Sequence, residues 1–196
     1  MVQSPIFHSP LRKRRLGRTN LEVSEISLGC VEIGLPYGIP AGGELQRPPE
    51  DEAERILHTA LDLGVNHLDT ARAYGESEAI IGRVLKDRRD EFILTTKIPV
   101  HKQAGLSTAE LREHCRSSIE TSLAALQTDR IDLIQCHDME FAASLDQVVH
   151  EALPAMEEAR GQGRALRRPP AAVRLGAQRC SWAKPTPRSA EHQSWA

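Results

Sequence analysis

Four side chains in this sequence combine into a set that can move a proton to or from a carbonyl oxygen: Asp69, Tyr74, Lys97 and His137. Three of them end short apolar runs. Asp69 closes Val65-Asn-His-Leu-Asp69, Lys97 closes Glu91-Phe-Ile-Leu-Thr-Thr-Lys97, and His137 closes Ile131-Asp-Leu-Ile-Gln-Cys-His137. Tyr74 follows in the loop after Asp69. An ammonium beside a phenol favours the phenolate, so a nearby Lys97 makes Tyr74 a candidate proton donor near neutral pH, with Asp69 as the lysine's counter-ion. A neutral His137 can orient a carbonyl oxygen by hydrogen bonding. Such a set protonates an alkoxide forming from a carbonyl, or deprotonates an alcohol in reverse. It contains no hydride source, so a nicotinamide would have to supply one.

The elements that must position these residues follow from periodicity. Leu16-Gly-Arg-Thr-Asn20 reads as a turn between short extended pieces, and Ile26-Ser-Leu-Gly29 as the first apolar strand. Residues 34–49 are dense in Gly and Pro and read as a long loop. A helix is expected over Glu50 to Leu63, with Ala53, Ile56, Leu57, Ala60 and Leu63 as its stripe and Gly64 as its stop. The second strand is Val65 to Asp69, followed by a helix over Ser77 to Leu85 and a strand over Phe92 to Thr96. Ser107-Thr-Ala-Glu110 is a capping box opening a helix whose stripe runs Leu111, Cys115, Ile119, Ser122, Leu123, Leu126. The fourth strand is Ile131 to Cys136. A last helix is expected from Ser144 to Arg160, with Leu145, Val148, Val149, Ala152, Leu153 and Met156 at helical spacing and a kink at Pro154.

A strand followed by a helix, four times over, is the pattern of right-handed parallel βαβ units, whose strands are buried on both faces. Period-2 alternation puts His67 with Asp69, Thr95 with Lys97, and Gln135 with His137 on one face of their strands. If those faces point into a barrel, the polar ends meet, since adjacent strands lie about 4.8 Å apart. His67 then reads as packing or support. The C-terminal ends of barrel strands are where such folds carry chemistry.

Composition excludes several alternatives. The 196 residues, 27% charged with a net charge of -2, form an ordinary soluble chain with no bulk charge calling for nucleic acid or an anionic membrane. Leu11-Arg-Lys-Arg-Arg15 reads as a charged strand edge. Cys30, Cys115, Cys136 and Cys180 form no C-x-x-C pair and no apolar leader precedes them, so a reducing, cytoplasmic setting is expected. No metal is expected: Cys136, His137 and Asp138 alternate in direction and no second His/Cys pair has ligand spacing. The Gly42-Gly43 pair lacks a phosphate-cradling pattern.

Leu68-Asp-Thr-Ala-Arg-Ala-Tyr-Gly-Glu-Ser-Glu78 resembles the first signature of the aldo-keto reductases, Thr95-Thr-Lys97 their lysine strand and Ile134-Gln-Cys-His137 their histidine strand. The resemblance implies a (β/α)8 TIM barrel, here its N-terminal part of about four β/α units with an N-terminal hairpin. It implies Tyr74 as general acid/base, Lys97 as the group tuning it, Asp69 as the lysine's counter-ion, His137 as the group orienting substrate, and Cys30 and Asp69 as cofactor contacts for NAD or NADP. Within the family, Cys136-His-Asp-Met-Glu-Phe141, Ser144-Leu-Asp-Gln-Val-Val149 and Leu153-Pro-Ala155 are most similar to L-galactose dehydrogenases and related aldose dehydrogenases. That implies an aldose or other carbonyl or alcohol substrate.

The resemblance runs from about Leu16 to Arg164, where the family would continue into a fifth strand; this chain reads Ala165-Leu-Arg-Arg-Pro-Pro170 instead. A complete barrel takes roughly 250 residues. The expectation is a flexible arm over 1–10, a partial barrel over 11–162, and an Arg/Pro/Ala-rich tail over 163–196, disordered or frameshifted, with at most a short strand at Ala171 to Leu175. Three functional readings follow: an oxidoreductase, inactive if the cofactor site is truncated; a non-catalytic interaction protein that binds a partner through an open sheet edge; and a defective gene product, with self-association through that edge also expected.

Overall fold

The computed structural model of the protein describes residues 11–17, 19–39, 43–100, 106–138 and 144–163. The expected arm, the tail beyond Gly163 with its Ala171 to Leu175 strand, and Gly42 lie outside them.

Strands β1 (Lys13–Arg15) and β2 (Glu22–Ser24) form an antiparallel hairpin, with Lys13 opposite Ser24. The basic run is used within it: Arg12 and Arg14 both pair with Glu25, and Arg15 Nε donates to the Thr19 carbonyl at 2.6 Å. Asn66 docks the hairpin onto the rest of the fold. Its Oδ1 accepts from Ser24 N at 2.6 Å and its Nδ2 donates to the Glu22 carbonyl at 2.9 Å.

The main sheet has four parallel strands in the order β3 (Leu28–Gly29), β4 (His67–Asp69), β5 (Ile93–Pro99), β6 (Leu133–His137). Between them run α1 (Val31–Gly34), α2 (Glu50–Asp62), α3 (Ser77–Leu85), a 3-10 turn (Lys86–Glu91) and α4 (Thr108–Ala125). This is the order expected, and β5 runs further than expected, past Lys97 to Pro99. Helix α2 opens with Glu50, Asp51 and Glu52 against its N-terminal partial charge and stops at Gly64, whose φ of +90° suits glycine. Its core stripe is Ala53, Leu57 and Leu61; Leu63, expected inside, is 63% exposed because it lies past the last turn. Helix α4 has the complete capping box at Ser107 and Glu110, and its expected stripe is buried.

The last helix departs from a simple kink. It runs as α5 (Leu145–Gln147), a π-helical stretch (Val148–Ala152) and α6 (Leu153–Gly161), with Pro154 in the first turn of α6. Pro154 has no N–H to give the carbonyl four residues back, and the wider π turn accommodates that loss. The extra residue in the turn rotates the apolar stripe. Val148, Ala152, Ala155, Met156 and Ala159 face the core, whereas Leu145 and Val149, expected inside, are exposed.

The core lies between one face of the sheet and the helices, with Leu68, Leu94 and Ile98 from the strands at 0–1% exposure packed with Leu57, Ile81, Leu85, Leu111 and Ile119. The other face was expected to be buried too. Instead Ser27 and Gln135 are exposed, and His67, Asp69, Lys97, Leu133 and His137 are half-buried. Four strands cannot curl far enough to enclose an interior, so the face that would line a barrel opens to solvent among the described residues. At the N-terminal end of the strands, Asp132 fastens β5 to β6. Its Oδ2 accepts from Leu94 N at 2.8 Å and from Arg89 Nη2 at 2.6 Å, both partners of the ion pair being largely buried.

Candidate functional site

Asp69, Lys97 and His137 do come together at the C-terminal ends of β4, β5 and β6, but along a diagonal. In register, Asp69 lies opposite Thr95, Lys97 opposite Gln135, and His137 opposite Pro99. Each successive strand carries its functional residue two positions further along, which keeps all three on the inward face while following the stagger of a barrel. The ion pair between Lys97 and Asp69 therefore forms across the diagonal, by the length of the lysine side chain.

Tyr74 reaches the same point from a tight turn after β4, with Tyr74 N donating to the Ala71 carbonyl at 3.0 Å and Ser77 N to the Tyr74 carbonyl at 3.0 Å. Two glycines let this turn pack on α1. A Cβ added to Gly34 would lie 2.5 Å from Ser77 N and closer still to the Tyr74 carbonyl oxygen, and Gly75 holds φ +56° with Gly34 O 2.5 Å from where its own Cβ would be. The Lys97 ammonium donates to Asp69 Oδ1, to the Thr70 carbonyl at 3.2 Å and to the Tyr74 hydroxyl at 3.2 Å. Its nitrogen also lies 4.8 Å from the centroid of the Tyr74 ring. The Tyr74 and His137 rings meet edge-to-face, centroids 5.4 Å apart and planes at 81°. His137 Nε2 stands 3.5 Å from Asp138 Oδ1.

Carboxylate, ammonium, phenol and imidazole thus form one continuous patch, with the Lys97 side chain 13% and the Asp69 side chain 39% exposed. The patch can hold a carbonyl or hydroxyl oxygen against the Tyr74 hydroxyl and the His137 imidazole, with the Lys97 amine beside them. Among the described residues, no cluster of three or more His, Cys, Asp or Glu is arranged to hold a metal ion. No helix among them is long and apolar enough to cross a membrane.

Cys30 is set differently. Its side chain is 0% exposed in the core, and burial, with the Asp69 carboxylate nearby, pushes its thiol up to about 12. It meets the constellation through its backbone, its N–H donating to the Asp69 carbonyl at 2.9 Å. His67 ties β4 to β5 and to the residue just before β3, with Nδ1 2.7 Å from Ser27 Oγ and Nε2 2.8 Å from Thr95 Oγ1. Burial holds its pKa below the ordinary imidazole value, against the opposing pull of Asp69.

Sequence reasoning missed the supports behind this patch. Glu78 is 1% exposed and bonded to Arg72 and Thr96, while Ser77 Oγ links Thr70 Oγ1 at 2.8 Å to the Cys30 carbonyl at 2.7 Å. A signal for Glu78 was present: it occupies a core position on its own helix, in line with Ile81 and Leu85.

Comparison with known proteins gives a consistent set of relatives. The sequence profile of the aldo/keto reductase family matches residues 25–167. Over 156 residues the chain is 36% identical to an L-galactose dehydrogenase from Arabidopsis thaliana, covering 77% of this chain and 45% of that protein. Over 170 residues it is 34% identical to a D-threo-aldose 1-dehydrogenase from a Pseudomonas species, covering 74% of this chain and 51% of that one. The holo form of an aldo-keto reductase from Bacillus halodurans superposes with a TM-score of 0.61 at 33% identity, covering 79% of this chain and 48% of that chain. The chain therefore spans about half the length of the curated relatives it matches.

Proposed function

The chain belongs to the aldo/keto reductase family, and from that premise we propose that it serves as a nicotinamide-dependent oxidoreductase acting at C1 of an aldose. The observation that carries the reading is the Lys97 ammonium, hydrogen-bonded at once to the Asp69 carboxylate and, at 3.2 Å, to the Tyr74 phenol.

In the direction of sugar oxidation the C1 hydroxyl lies between Tyr74 and His137. Tyr74 would take the hydroxyl proton in this direction, and in reverse it would return the proton to the carbonyl oxygen. Lys97 donates a hydrogen bond to the Tyr74 hydroxyl, and Asp69 holds the lysine in place. His137 aims the oxygen by hydrogen bonding. The nicotinamide, NAD or NADP, supplies the hydride chemistry that none of these side chains has. The donor set fits such a ring: the patch is polar and lies open on the inward face, and the partly exposed Asp69 carboxylate is an acceptor at its edge. The Cys30 backbone, bonded to the Asp69 carbonyl, supports the same edge.

The names of the relatives support an aldose as the substrate class. The free thiols of Cys30, Cys115 and Cys136 support a reducing, cytoplasmic setting. A second reading, a non-catalytic barrel fragment acting through protein contacts, draws on β6, whose outer edge no other strand covers among the described residues.

The deciding experiment titrates the purified chain with NAD(H) and NADP(H) by fluorescence and assays oxidation of L-galactose and other aldoses beside a Tyr74→Phe control. The expected result is saturable cofactor binding and turnover that the control abolishes. Absence of binding by either cofactor would sink the enzyme reading for this chain, and turnover surviving in Tyr74→Phe would remove the phenol from its role.

A further inference from the structure

Glu78 stands behind the constellation and takes no part in its proton transfer, with a side chain 1% exposed. A carboxylate removed from water costs several kcal/mol unless partners replace its hydration, and even a well-made buried ion pair adds little over an apolar substitute of the same volume. Stability therefore gives no reason for a charge here, but geometry does. Oε1 accepts from Thr96 Oγ1 at 2.6 Å and Oε2 from Arg72 Nη1 at 2.5 Å. Thr96 immediately precedes Lys97 on β5. Arg72 lies between Asp69 and Tyr74, and its backbone N–H donates to the Lys97 carbonyl at 3.2 Å. One carboxylate thus joins the two stretches of backbone whose side chains, Tyr74 and Lys97, meet at the candidate site.

The opposite flank of the same turn is held separately, by Ser77 Oγ on the Cys30 carbonyl at 2.7 Å and by the close approach of Gly75 to Gly34. Those contacts fasten the turn to the β3 side. Its distance from β5 is set by the Glu78 bonds, by the backbone ladder beside them and by Lys97 Nζ on the Thr70 carbonyl. The Tyr74 hydroxyl stands 3.2 Å from Lys97 Nζ, at the long limit of a hydrogen bond, so a shift of a few tenths of an ångström outward breaks it.

We propose that Glu78, clamped by Arg72 and Thr96, is a positioning residue that sets the separation between the Tyr74 phenol and the Lys97 ammonium. This rests on the reading of Tyr74 and Lys97 as the proton-transfer pair. Two readouts test it, in the wild-type chain and in Glu78→Gln, Arg72→Leu and Arg72→Lys. Glu78→Gln keeps the side-chain shape and an acceptor for Thr96 but loses the charge that holds Arg72. Arg72 is partly exposed, so its variants separate the clamp from the fold.

Hydrogen–deuterium exchange reads the clamp without turnover. In Glu78→Gln and Arg72→Leu, exchange over 70–76 is expected to speed up by roughly tenfold while α4 keeps its wild-type rates, and Arg72→Lys is expected to stay near wild type. Steady-state oxidation of L-galactose with NAD or NADP reads the consequence: kcat falls by roughly ten- to a hundredfold with KM held within about twofold. Unchanged exchange over 70–76 in Glu78→Gln overturns the proposal, as does loss of protection spreading equally through α4, or a rise in KM at unchanged kcat. A wild-type chain that turns nothing over defeats the proposed function instead, and exchange over 70–76 then decides by itself whether the clamp exists.

Discussion

Lys97 has three donors, and it gives them to the Asp69 carboxylate, the Thr70 carbonyl and the Tyr74 hydroxyl. The ion pair adds little to stability: Asp69 keeps 39% of its side chain in water, and screening holds such pairs to about 1 kcal/mol or less. Under the proposed function its role is chemical, so stability and turnover should separate on mutation. Lys97→Met is expected to lower the unfolding free energy measured in urea by less than about 1 kcal/mol while lowering kcat by roughly a hundredfold or more, since the Tyr74 hydroxyl loses the cation hydrogen-bonded to it. Equal losses in both measurements would contradict this assignment. Asp69, Lys97 and His137 were legible in the sequence because strand alternation fixes which residues share a face, and Tyr74 was legible through the signature it belongs to. Glu78 was legible only as an anomaly, a charge on an apolar stripe, since its partners Arg72 and Thr96 come from other elements.

At the scale of elements, two glycines give contrasting predictions. A Cβ on Gly82 in α3 would lie 2.5 Å from Leu126 C, against the end of α4. Alanine gains about 1 kcal/mol in helix propensity over glycine, but overpacking against backbone costs about 1–3 kcal/mol, so Gly82→Ala is expected to lower the chemical-denaturation midpoint and leave turnover per folded molecule intact. Gly34→Ala instead presses on the backbone of Tyr74 and Ser77, and should lower stability and turnover per folded molecule together. His67, stitching β4 to Ser27 and to β5, gives a pH dependence. Around it lie Asp69 on its own strand, Lys97 on β5 and Asp132 beside β6; burial outweighs the carboxylates and keeps the folded imidazole neutral to lower pH. The unfolded chain takes up that proton near pH 6.5, so the contribution of His67 is intact above that value and is lost as the pH falls below it. Thermal melts from pH 7.5 to 5 should show this decline, and it should flatten in His67→Gln. The elements themselves were legible: α3 has the bounds that its periodicity gives, and the capping box of α4 is complete. The phase of the last helix was not, because the π turn that accommodates Pro154 depends on how the helix packs.

On the scale of the whole molecule, the described strands form an open sheet with Gln135 on β6 exposed and Leu133 half-exposed. An edge and a half-open face of this kind promote pairing with another chain. We expect concentration-dependent association in light scattering, and a strictly monomeric protein across the measured range would argue against it. By itself the sequence determined the β/α order and the shared face of Asp69, Lys97 and His137, because periods of 2 and 3.6 residues assign side chains to faces without reference to anything distant, while Tyr74 entered through the signature that the chain resembles. Only the tertiary structure decided the two-residue stagger that sets Asp69, Lys97 and His137 on a diagonal, the openness of the inward face, and the clamp of Glu78 on Arg72 and Thr96. Register and burial depend on which strands pair and how many of them there are, and that is a property of contacts between segments far apart in the chain.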